Sequence, residues 1–393
     1  MNPIKRQKVL IFQPALAPYR VHIYNELARL FDVKVIFLRE NLLSQKFNQA
    51  NLRCQLTVDF EYLTTGFTFL RRNIRFGIHK FIKEFKPDVV VTVEFSPVTL
   101  AVALFRHFYP HSFTHVLWTD DHPESVGTDH WMRKMLRDII LPRVQGLIVI
   151  SKDAASLYQT RYRSNAITGV VPIIQYEPFF ESQLEAAGKL VPGLISKYNL
   201  AGRRVILLVG RLEKVKRFDR VLTAFSMVAP MFPDAVVVVV GSGPEQSTLL
   251  SLSQQLGISH RVLFVGRRED VELAAWYRIG SLLVLPSEFE RFGAVVNEAL
   301  LSGIPVICSN KAGAKMLINE NVNGEVVDAS NYLELQDSLM RWMNNVEMSQ
   351  IHFDGALRAS LMSIGFQAGV DEFVKVLNES LCADSTVTGG RIK

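Results

Sequence analysis

Residues 203–228 read RRVILLVGRLEKVKRFDRVLTAFSMV. The stretch 203–209, which is apolar from Val205 onward, is typical of a strand that is buried on both faces of a parallel sheet. A loop that carries Arg211 and Lys216 follows this run. Apolar residues then recur with the spacing of an α-helix, at Val221, Leu222, Phe225 and Val228. The stretch therefore predicts one βα unit with two cations in its loop.

The same alternation extends over most of the chain and predicts an α/β fold. Further strands are expected at 8–13, 33–38, 88–93, 115–119, 146–150, 235–240, 262–265, 281–285 and 305–308. The alternation weakens between 171 and 200, where prolines and polar residues accumulate. We therefore expect two doubly wound, Rossmann-like domains that face a central cleft, with ligands beyond the carboxyl ends of the strands. The predicted domains are 1–180 and 181–380, with a last helix that can pack back on the first domain and a flexible tail at 383–393.

The composition excludes several classes of protein. Of the 393 residues, 48% are hydrophobic, which supports large cores and excludes wholesale disorder. The chain contains only three cysteines, and they are far apart in the sequence. This pattern excludes a disulfide scaffold or a cysteine-ligated zinc site, and it is typical of a protein in a reducing compartment. The N-terminal apolar run is too short for a signal peptide, and residues 89–105 are too short and too interrupted to span a membrane. We therefore expect a cytoplasmic protein.

Positive charge is concentrated in the first half of the chain. Residues 1–180 contain 23 Lys and Arg against 15 Asp and Glu, whereas the remaining residues contain 21 against 23. A basic half indicates an acidic partner, such as a phosphorylated lipid, a membrane surface or nucleic acid. Nucleic acid is not expected, because no recognition motif accompanies the charge.

Residues 64–86 contain six cations, one acid and five phenylalanines. This composition predicts a basic amphipathic helix that lies on anionic lipid at the inner face of the cell membrane. The alternative is a core helix whose cations face water, and the pattern is equally compatible with it.

Residues 285–300 read LPSEFERFGAVVNEAL and predict a strand end, a loop and a helix. Glu290 precedes the helix and Glu298 lies within it, about 12 Å further on if the span is fully helical. Gly293 would let the backbone approach a phosphate, and the helix dipole favours an anion there. Arg211 and Lys216 could in turn clamp a diphosphate. Taken alone, each motif also has a simpler explanation: charges that complement a helix start, or a solvated basic turn.

Five motifs together carry a family resemblance. In chain order they are Gly210-Arg211-Leu212 with Lys216, Gly241-Ser242-Gly243-Pro244-Glu245, the run 262–266, Pro286-Ser287 with Glu290 and Glu298, and Ser302-Gly303-Ile304-Pro305-Val306-Ile307. This series resembles the donor-binding half of the retaining GT-B glycosyltransferases of the "group 1" family, also called family 4, with its E-x7-E pair of glutamates. The resemblance covers residues 203–327, and the first half shares only the strand–helix pattern.

The resemblance implies transfer of a sugar from a nucleotide-sugar donor with retention of configuration. Arg211 and Lys216 would hold the donor diphosphate and stabilise negative charge on the leaving group, as a metal does elsewhere. Glu290 would hydrogen-bond hydroxyl groups of the donor sugar. Neither a metal nor another cofactor would be needed for this chemistry.

The remaining donor contacts are implied in the same way. Gly210 belongs to the diphosphate loop, and Phe292 and Gly293 would present backbone amides to the sugar and the phosphate. Glu298 would bind the ribose hydroxyls, and Arg267 would lie near the base. The base itself (uracil, guanine or adenine), the sugar and the linkage are not identified by these residues.

Three positions depart from the family pattern. Arg217 replaces the glycine that usually follows the diphosphate lysine, and Arg291 replaces a small residue after Glu290. The linker, often Pro-Asn-Gly, reads Pro172-Ile173-Ile174. None of these changes removes a residue with an implied role.

The first half supplies the candidate acceptor residues. The string Pro18-Tyr19-Arg20 follows the first strand and resembles a subset of the family in which it opens the acceptor cleft; a plain helix start is equally compatible with it. After the strand at 115–119 come Asp120, Asp121 and His122. His122 is the candidate for a donor-sugar contact, an aspartate could take that place, and Asp121 is a candidate for acceptor binding. A polar turn with helix-capping acids is the alternative.

A metal site is not predicted. Five histidines lie between 107 and 130. Pro110 interrupts any helix that would pair His107 with His111, and the spacing of a helical metal motif is missing.

The leading prediction is a glycosyltransferase that acts on a lipid-linked or anionic glycan acceptor in polysaccharide or cell-envelope synthesis. One alternative is a nucleotide-sugar epimerase or hydrolase of the same fold. Another is a non-catalytic, membrane-associated protein that binds sugar nucleotides, although such a protein need not keep Arg211, Lys216, Glu290 and Glu298 together.

Overall fold

The computed structural model describes residues 6–41, 47–69, 72–109, 112–127, 131–345 and 364–389. The chain forms two compact units, of which one contains 1–172 with 367–393 and the other contains 173–366. Each unit is built on one parallel sheet. The predicted α/β fold with two Rossmann-like domains is therefore confirmed, and the boundary between them lies a few residues before the expected position 180.

The first unit contains nine strands in its described residues: β1 (Lys8–Gln13), β2 (Asp32–Phe37), β3 (Asp59–Tyr62), β4 (Gly66–Phe69), β5 (Arg72–Arg75), β6 (Val89–Val93), β7 (Thr114–Thr119), β8 (Gly146–Val149) and β9 (Ile167–Val170). Seven of them form a parallel sheet in the order β3-β2-β1-β6-β7-β8-β9, and β4 and β5 form a separate antiparallel ribbon. Its helices are α1 (Pro18–Leu30), α2 (Gln49–Cys54), α3 (Ile78–Phe85), α4 (Pro97–Phe108), α5 (Pro123–Gly127), α6 (Trp131–Ile140) and α7 (Lys152–Arg161), with a short 3-10 helix at Leu141–Arg143.

The second unit contains strands β10 (Arg204–Val209), β11 (Ala235–Val240), β12 (Val262–Gly266), β13 (Leu282–Leu285), β14 (Val306–Ser309) and β15 (Gly324–Val327). They form one parallel sheet in the order β12-β11-β10-β13-β14-β15. The helices are α8 (Glu177–Ala187), α9 (Val191–Tyr198), α10 (Phe218–Val228), α11 (Gln246–Gln255), α12 (Asp270–Ile279), α13 (Ala294–Leu301) and α14 (Tyr332–Asn345). Short 3-10 helices lie at Lys214–Lys216, Ala229–Met231, Ser259–Arg261 and Gly313–Leu317.

The apolar strands form the core because both faces of each sheet are covered. Every residue of β6, β7 and β11 is buried. The four apolar residues that predicted α10 are all buried against β10 and β11. Continuous burial explains why these strands lack the alternating polar pattern of a one-sided sheet.

Each sheet reverses its strand order once. In the first unit the reversal lies between β1 and β6, and in the second it lies between β10 and β13. The loops that follow the two strands at such a point leave in opposite directions and open a crevice where α/β proteins bind ligands. The motifs of residues 210–217 and 286–293 follow β10 and β13, so the topology places both at this point of the second sheet.

The last helix, α15 (Phe366–Gly389), completes the first unit. The Phe373 ring meets the Trp118 ring edge-on, with 4.9 Å between their centroids. Arg106 on α4 donates two hydrogen bonds to the Asp384 carboxylate, at 2.6 and 2.7 Å. Residues 383–389 are therefore helical, which corrects the predicted flexible tail, and residues 390–393 lie outside the described part of the chain.

The predicted helix over 64–86 is wrong in its first part. Residues 66–69 and 72–75 form the β4–β5 ribbon, and only Ile78–Phe85 is helical. Apolar residues at 67, 69, 74 and 76 alternate, which is the period of a strand and not of a helix. Leu70 and Arg71, within this segment, lie outside the described residues. Over the described ranges, no helix is both long and apolar enough to cross a bilayer.

Candidate functional site

The strand-order reversal of the second unit brings two loops together. β10 and β13 are neighbours, with Ile206 beside Leu282, and their loops leave from the same edge of the sheet. The Glu288 amide donates to the Val215 carbonyl oxygen at 2.9 Å. One backbone hydrogen bond thus joins two motifs that are more than 70 residues apart in the sequence.

The loop after β10 is fixed by its contact with the glycine-rich loop after β11. The Leu212 amide donates to the Ser242 carbonyl, and the Glu245 amide donates to the Leu212 carbonyl, both at 3.0 Å. A Cβ atom at Gly241 would lie 1.8 Å from the Gly210 carbonyl oxygen, so only glycine allows this approach. The two glycine-containing loops therefore stabilise each other, and this contact positions the loop that carries Arg211 and Lys216.

Lys216 and Glu290 form an ion pair at the centre of this site. Their side chains are 14% and 18% exposed. The backbone of Glu290 is fixed as well, because its amide donates to the Lys311 carbonyl and its carbonyl accepts from the Gly313 amide, each at 3.2 Å. Because both side chains still reach solvent, each can release the other and bind a ligand. The lysine can then bind an anionic group, and the carboxylate can accept hydrogen bonds from hydroxyl groups.

Arg211 and Arg217 flank the pair differently. The Arg211 side chain is 46% exposed and pairs with Glu213 at 2.5 Å. Arg217 has a φ of +52°, which is left-handed, and it pairs with Asp219 at 3.0 Å and with Glu288 at 3.4 Å. The left-handed backbone explains why glycine is usual at this position, and the two carboxylates hold the arginine that replaces it.

Gly293 begins helix α13 and requires the absence of a side chain. Its φ is +99°, and a Cβ atom there would lie 2.7 Å from Leu285 Cδ2. Phe292 beside it is buried, and its carbonyl accepts from the Ala314 amide at 2.7 Å. The first turn of a helix has amides without intrahelical acceptors and a positive dipole end, so the arrangement can bind an anion or a sugar oxygen.

Glu298 lies one turn before the end of α13 and is held on both carboxylate oxygens. The Tyr277 hydroxyl donates to Oε2 at 2.6 Å, and Gln175 Nε2 donates to Oε1 at 2.7 Å. Burial raises the pKa of the Glu298 carboxyl, and these two hydrogen bonds lower it in part. The backbone amide of Gln175 also donates to Asn297 Oδ1 at 2.8 Å. Gln175 and Tyr277 were missed by the sequence analysis, because no motif marks them.

Arg267 lies in the loop after β12, the edge strand of this sheet, two strands from β10. Its side chain is about as exposed as that of Arg211 and forms an ion pair with Glu269. The structure therefore gives it an open position at the carboxyl edge of the sheet, at a distance of two strands from Lys216.

In the first unit, the predicted acceptor residues are largely enclosed. The Arg20 guanidinium forms an ion pair with Asp120 and lies 3.5 Å from the centroid of the Trp118 ring. Asp121 accepts from Arg137 at 2.7 Å and from the Tyr158 hydroxyl at 2.6 Å. The assignment of Arg20 and Asp121 to acceptor binding stays a prediction, and their buried contacts give both a structural role.

The neighbours of these residues differ in exposure. Tyr19 is half-buried, whereas His122 is buried and its Nδ1 accepts from the Glu124 amide at 3.4 Å. Glu94, which the sequence analysis missed, follows β6 with a left-handed φ of +64°. Its carboxylate accepts from the Thr119 hydroxyl and the Asp120 amide, each at 3.3 Å. The carboxyl ends of β1, β6 and β7 thus carry one connected polar cluster.

The histidines give no metal centre within the described ranges. No group of three His, Cys, Asp or Glu side chains there is arranged to hold an ion. His115 is buried, and its Nε2 lies 2.8 Å from the Thr92 hydroxyl. Burial, together with the charge of Arg106, lowers the pKa of His115 to about 3. His111 and His130 lie outside the described residues.

Comparison with known proteins finds glycosyltransferases that resemble this chain. Residues 195–351 match the family model for glycosyl transferases group 1. The chain is 24% identical over 272 residues to an uncharacterized glycosyltransferase of Haemophilus influenzae, covering 69% of this chain and 71% of that protein. It is 29% identical over 153 residues to a GDP-mannose-dependent alpha-(1-6)-phosphatidylinositol monomannoside mannosyltransferase of Mycobacterium tuberculosis, covering 37% of this chain and 40% of that protein.

The fold is shared over nearly the whole chain. HepE from Anabaena, solved in complex with UDP, aligns with a TM-score of 0.74 over 95% of this chain and 100% of that chain. The two sequences are only 15% identical, so this comparison concerns the fold.

Proposed function

We propose that this chain, whose residues 195–351 match the family model for glycosyl transferases group 1, transfers a sugar from a nucleotide sugar with retention of configuration and without a metal cofactor. The observation that carries the proposal is the Lys216–Glu290 ion pair beside the first turn of α13. Both side chains are partly buried, so each charge acts on a bound ligand more strongly than it would in water.

The donor diphosphate would replace Glu290 as the partner of Lys216. Lys216 would leave Glu290 for the diphosphate, and Glu290 would then accept hydrogen bonds from hydroxyl groups of the sugar. Arg211 would turn from Glu213 to the same diphosphate, which costs little because an exposed ion pair contributes only about 0–1 kcal/mol. Fixed cations at this place stabilise the negative charge that develops on the leaving group.

The nucleoside would extend along α13. Gly293 and Phe292 would present their amides to the phosphate and the sugar, and Glu298 would accept from the ribose hydroxyls. A carboxylate oxygen accepts more than one hydrogen bond, so Glu298 can keep Tyr277 and Gln175 while it binds ribose. Arg267 would lie toward the base.

The acceptor would be a lipid-linked or otherwise anionic glycan of polysaccharide or envelope synthesis, held by the first unit. Support comes from the excess of positive charge in residues 1–180 and from the similarity to the mycobacterial phosphatidylinositol monomannoside mannosyltransferase. Tyr19, Arg20 and Asp121 are the proposed acceptor residues, and His122 is the proposed contact to the donor sugar. Such an enzyme would work in the cytoplasm at the surface of the membrane.

Thermal unfolding of the protein with a panel of UDP-, GDP- and ADP-sugars tests the donor part of the proposal. We expect one nucleotide class to raise the melting temperature, and we expect the matching nucleotide sugar to be consumed only when a glycolipid acceptor is added. Isomerised or hydrolysed sugar without an acceptor would instead identify an epimerase or a hydrolase. Stabilisation by none of the nucleotides would contradict the proposed site.

A further inference from the structure

The β4–β5 ribbon of the first unit has one apolar face. In its antiparallel register Phe67 lies opposite Ile74, and Phe69 lies opposite Arg72. The Phe76 amide donates to the Thr65 carbonyl, which continues the pairing by one step. Since residues directly opposite each other share a face, Phe67, Phe69, Ile74 and Phe76 lie on the same side of the ribbon, together with position 72.

This apolar face points to solvent. The exposed fractions are 51% for Phe67, 60% for Phe69 and 56% for Phe76. The rings of Phe67 and Phe76 are neighbours, with 6.1 Å between their centroids. In the described part of the chain, the only other exposed phenylalanine is Phe108. Three large aromatic side chains within ten residues thus form one exposed patch. Such a patch indicates an interaction surface, whereas single exposed apolar residues are common on any protein.

The opposite face of the ribbon attaches it to the body of the unit. Arg75, whose position alternates with the phenylalanines, donates from Nε to the Leu38 carbonyl at 3.0 Å and from a terminal nitrogen to the Phe67 carbonyl at 3.2 Å. A ribbon that folded only for stability would turn its apolar face inward, because two strands alone bury too little. Here the polar face is the one that is anchored.

Cations follow the patch closely in the sequence. Helix α3 begins directly after Phe76 and Gly77, and it buries Ile78 and Ile82 in the core of the unit. Its residues Lys80 and Lys83 are exposed, and so is Lys86 at its end. Arg39 lies close to Arg75, and burial together with the charge of Arg75 lowers the Arg39 pKa. The core-helix interpretation of this segment therefore holds for α3, while the exposed aromatic side chains belong to the ribbon.

We propose that the β4–β5 ribbon docks the protein on a bilayer that contains anionic lipids, with Phe67, Phe69 and Phe76 in the interface and Lys80 and Lys83 at the headgroups. Aromatic rings gain free energy on entering the boundary between headgroups and acyl chains, and neighbouring lysines are attracted by a negative surface. A protein partner with an apolar site would not require the cations, which is why the charge favours the bilayer. The proposal goes beyond the transfer reaction and does not depend on it.

Flotation of the full chain with vesicles tests this proposal. The vesicles are phosphatidylcholine alone and phosphatidylcholine with phosphatidylglycerol. The variants are F67S/F69S, which removes the aromatic rings, F67L/F69L, which keeps an apolar surface, and K80E/K83E, which reverses the charge. Leu333→Ser in the second unit is the matched control, because Leu333 is 69% exposed and lies outside the patch.

We expect the wild type to float with anionic vesicles and not with neutral ones, and to be released by salt, because the Debye length falls to about 3 Å at 1 M salt. The bound fraction of F67S/F69S and of K80E/K83E should fall at least tenfold, on the order of the burial free energy of two aromatic rings or the attraction of several charges. F67L/F69L and L333S should remain bound. Equal flotation of F67S/F69S and wild type, or the same binding to neutral vesicles, would overturn the proposal.

Two further readouts separate this proposal from the others. The melting temperature and its shift by a nucleotide sugar should be the same in F67S/F69S and wild type, because the exposed rings contribute neither to the core nor to the site of the second unit. Self-association that F67S/F69S abolishes, without vesicle binding by the wild type, would identify a second copy of this chain as the occupant and contradict the docking on lipid.

Discussion

Both sheets carry ion pairs at their carboxyl edges, but the pairs of the two units differ in their exposure to solvent. In the first unit the Arg137–Asp121 pair is 2% and 6% exposed, and the Arg20–Asp120 pair is 4% and 16% exposed. In the second unit the Lys216–Glu290 pair is 14% and 18% exposed, and the Arg211–Glu213 pair is 46% and 35% exposed. The first set is closed on itself, whereas the second can still reach a ligand.

This difference separates charges that keep fixed partners within the fold from charges that can exchange their partner for a ligand. A buried pair cannot release one partner without leaving the other charge uncompensated in a medium of low polarity. A partly exposed pair loses little when solvent or a ligand replaces a partner. Four experiments test this difference between the two units.

The largest expected effect is on the stability of the first unit. In the described residues, Arg137 and Tyr158 both donate to the buried Asp121 carboxylate, and Arg137→Ala leaves the Tyr158 hydroxyl alone of the two. Removal of one partner of a buried ion pair costs about 3–5 kcal/mol. Urea unfolding measures the loss. Arg133→Ala on the same helix is the control, because Arg133 is exposed, and it should change the free energy of unfolding by less than about 0.5 kcal/mol. Equal effects of the two substitutions would contradict the division into closed and open charges.

The next effect concerns turnover by the second unit. Lys216→Ala should lower kcat by about 10²–10³, because it removes a preorganised cation from a partly desolvated site. Lys214→Ala, two residues earlier in the same loop and exposed, should leave kcat nearly unchanged. The unfolding free energy of both variants should stay near that of the wild type. A Lys216→Ala enzyme with full activity would disprove the role given to the ion pair.

The first sheet should also respond to acid through His115. Its pKa is lowered from 6.5 to about 3 in the folded protein, so the unfolded chain binds the extra proton between these values. Stability is therefore lost as the pH falls from 6.5 toward 3, with a slope of at most about 1.4 kcal/mol per pH unit from this group. Urea unfolding at a series of pH values should show that His115→Gln reduces the slope.

The smallest expected effect is on recognition of the ribose. Gln175→Ala removes one donor that orients Glu298, and we expect the affinity for the nucleoside diphosphate to fall roughly tenfold, the size of one charged hydrogen bond. Calorimetric titration should show no such loss for the 2′,3′-dideoxy nucleotide, which lacks the hydroxyls that Glu298 would bind. Equal losses for both nucleotides would mean that Gln175 acts on the fold alone.

The sequence predicted the central strands of both sheets and the central pair of the second unit, but not the edge strands β3, β9 and β15. Continuous apolar runs such as 205–209 predict buried strands clearly, and the topology of an α/β sheet then brings the loops of Lys216 and Glu290 together. Gln175, Tyr277 and Glu94 were not predicted, because their roles arise from contacts between distant parts of the chain. The β4–β5 ribbon was missed because its cations suggested a helix, although its phenylalanines alternate with the period of a strand.

The path of the polypeptide has a consequence for how this molecule is made. The ribosome completes residues 173–365 before it reaches α15, yet α15 supplies Phe373 and Asp384 to the first unit. Residues 173–365 can consequently finish folding first, and the first unit must wait until α15 has been synthesised. A stop codon ahead of residue 366 would damage the distant N-terminal region more than the neighbouring one.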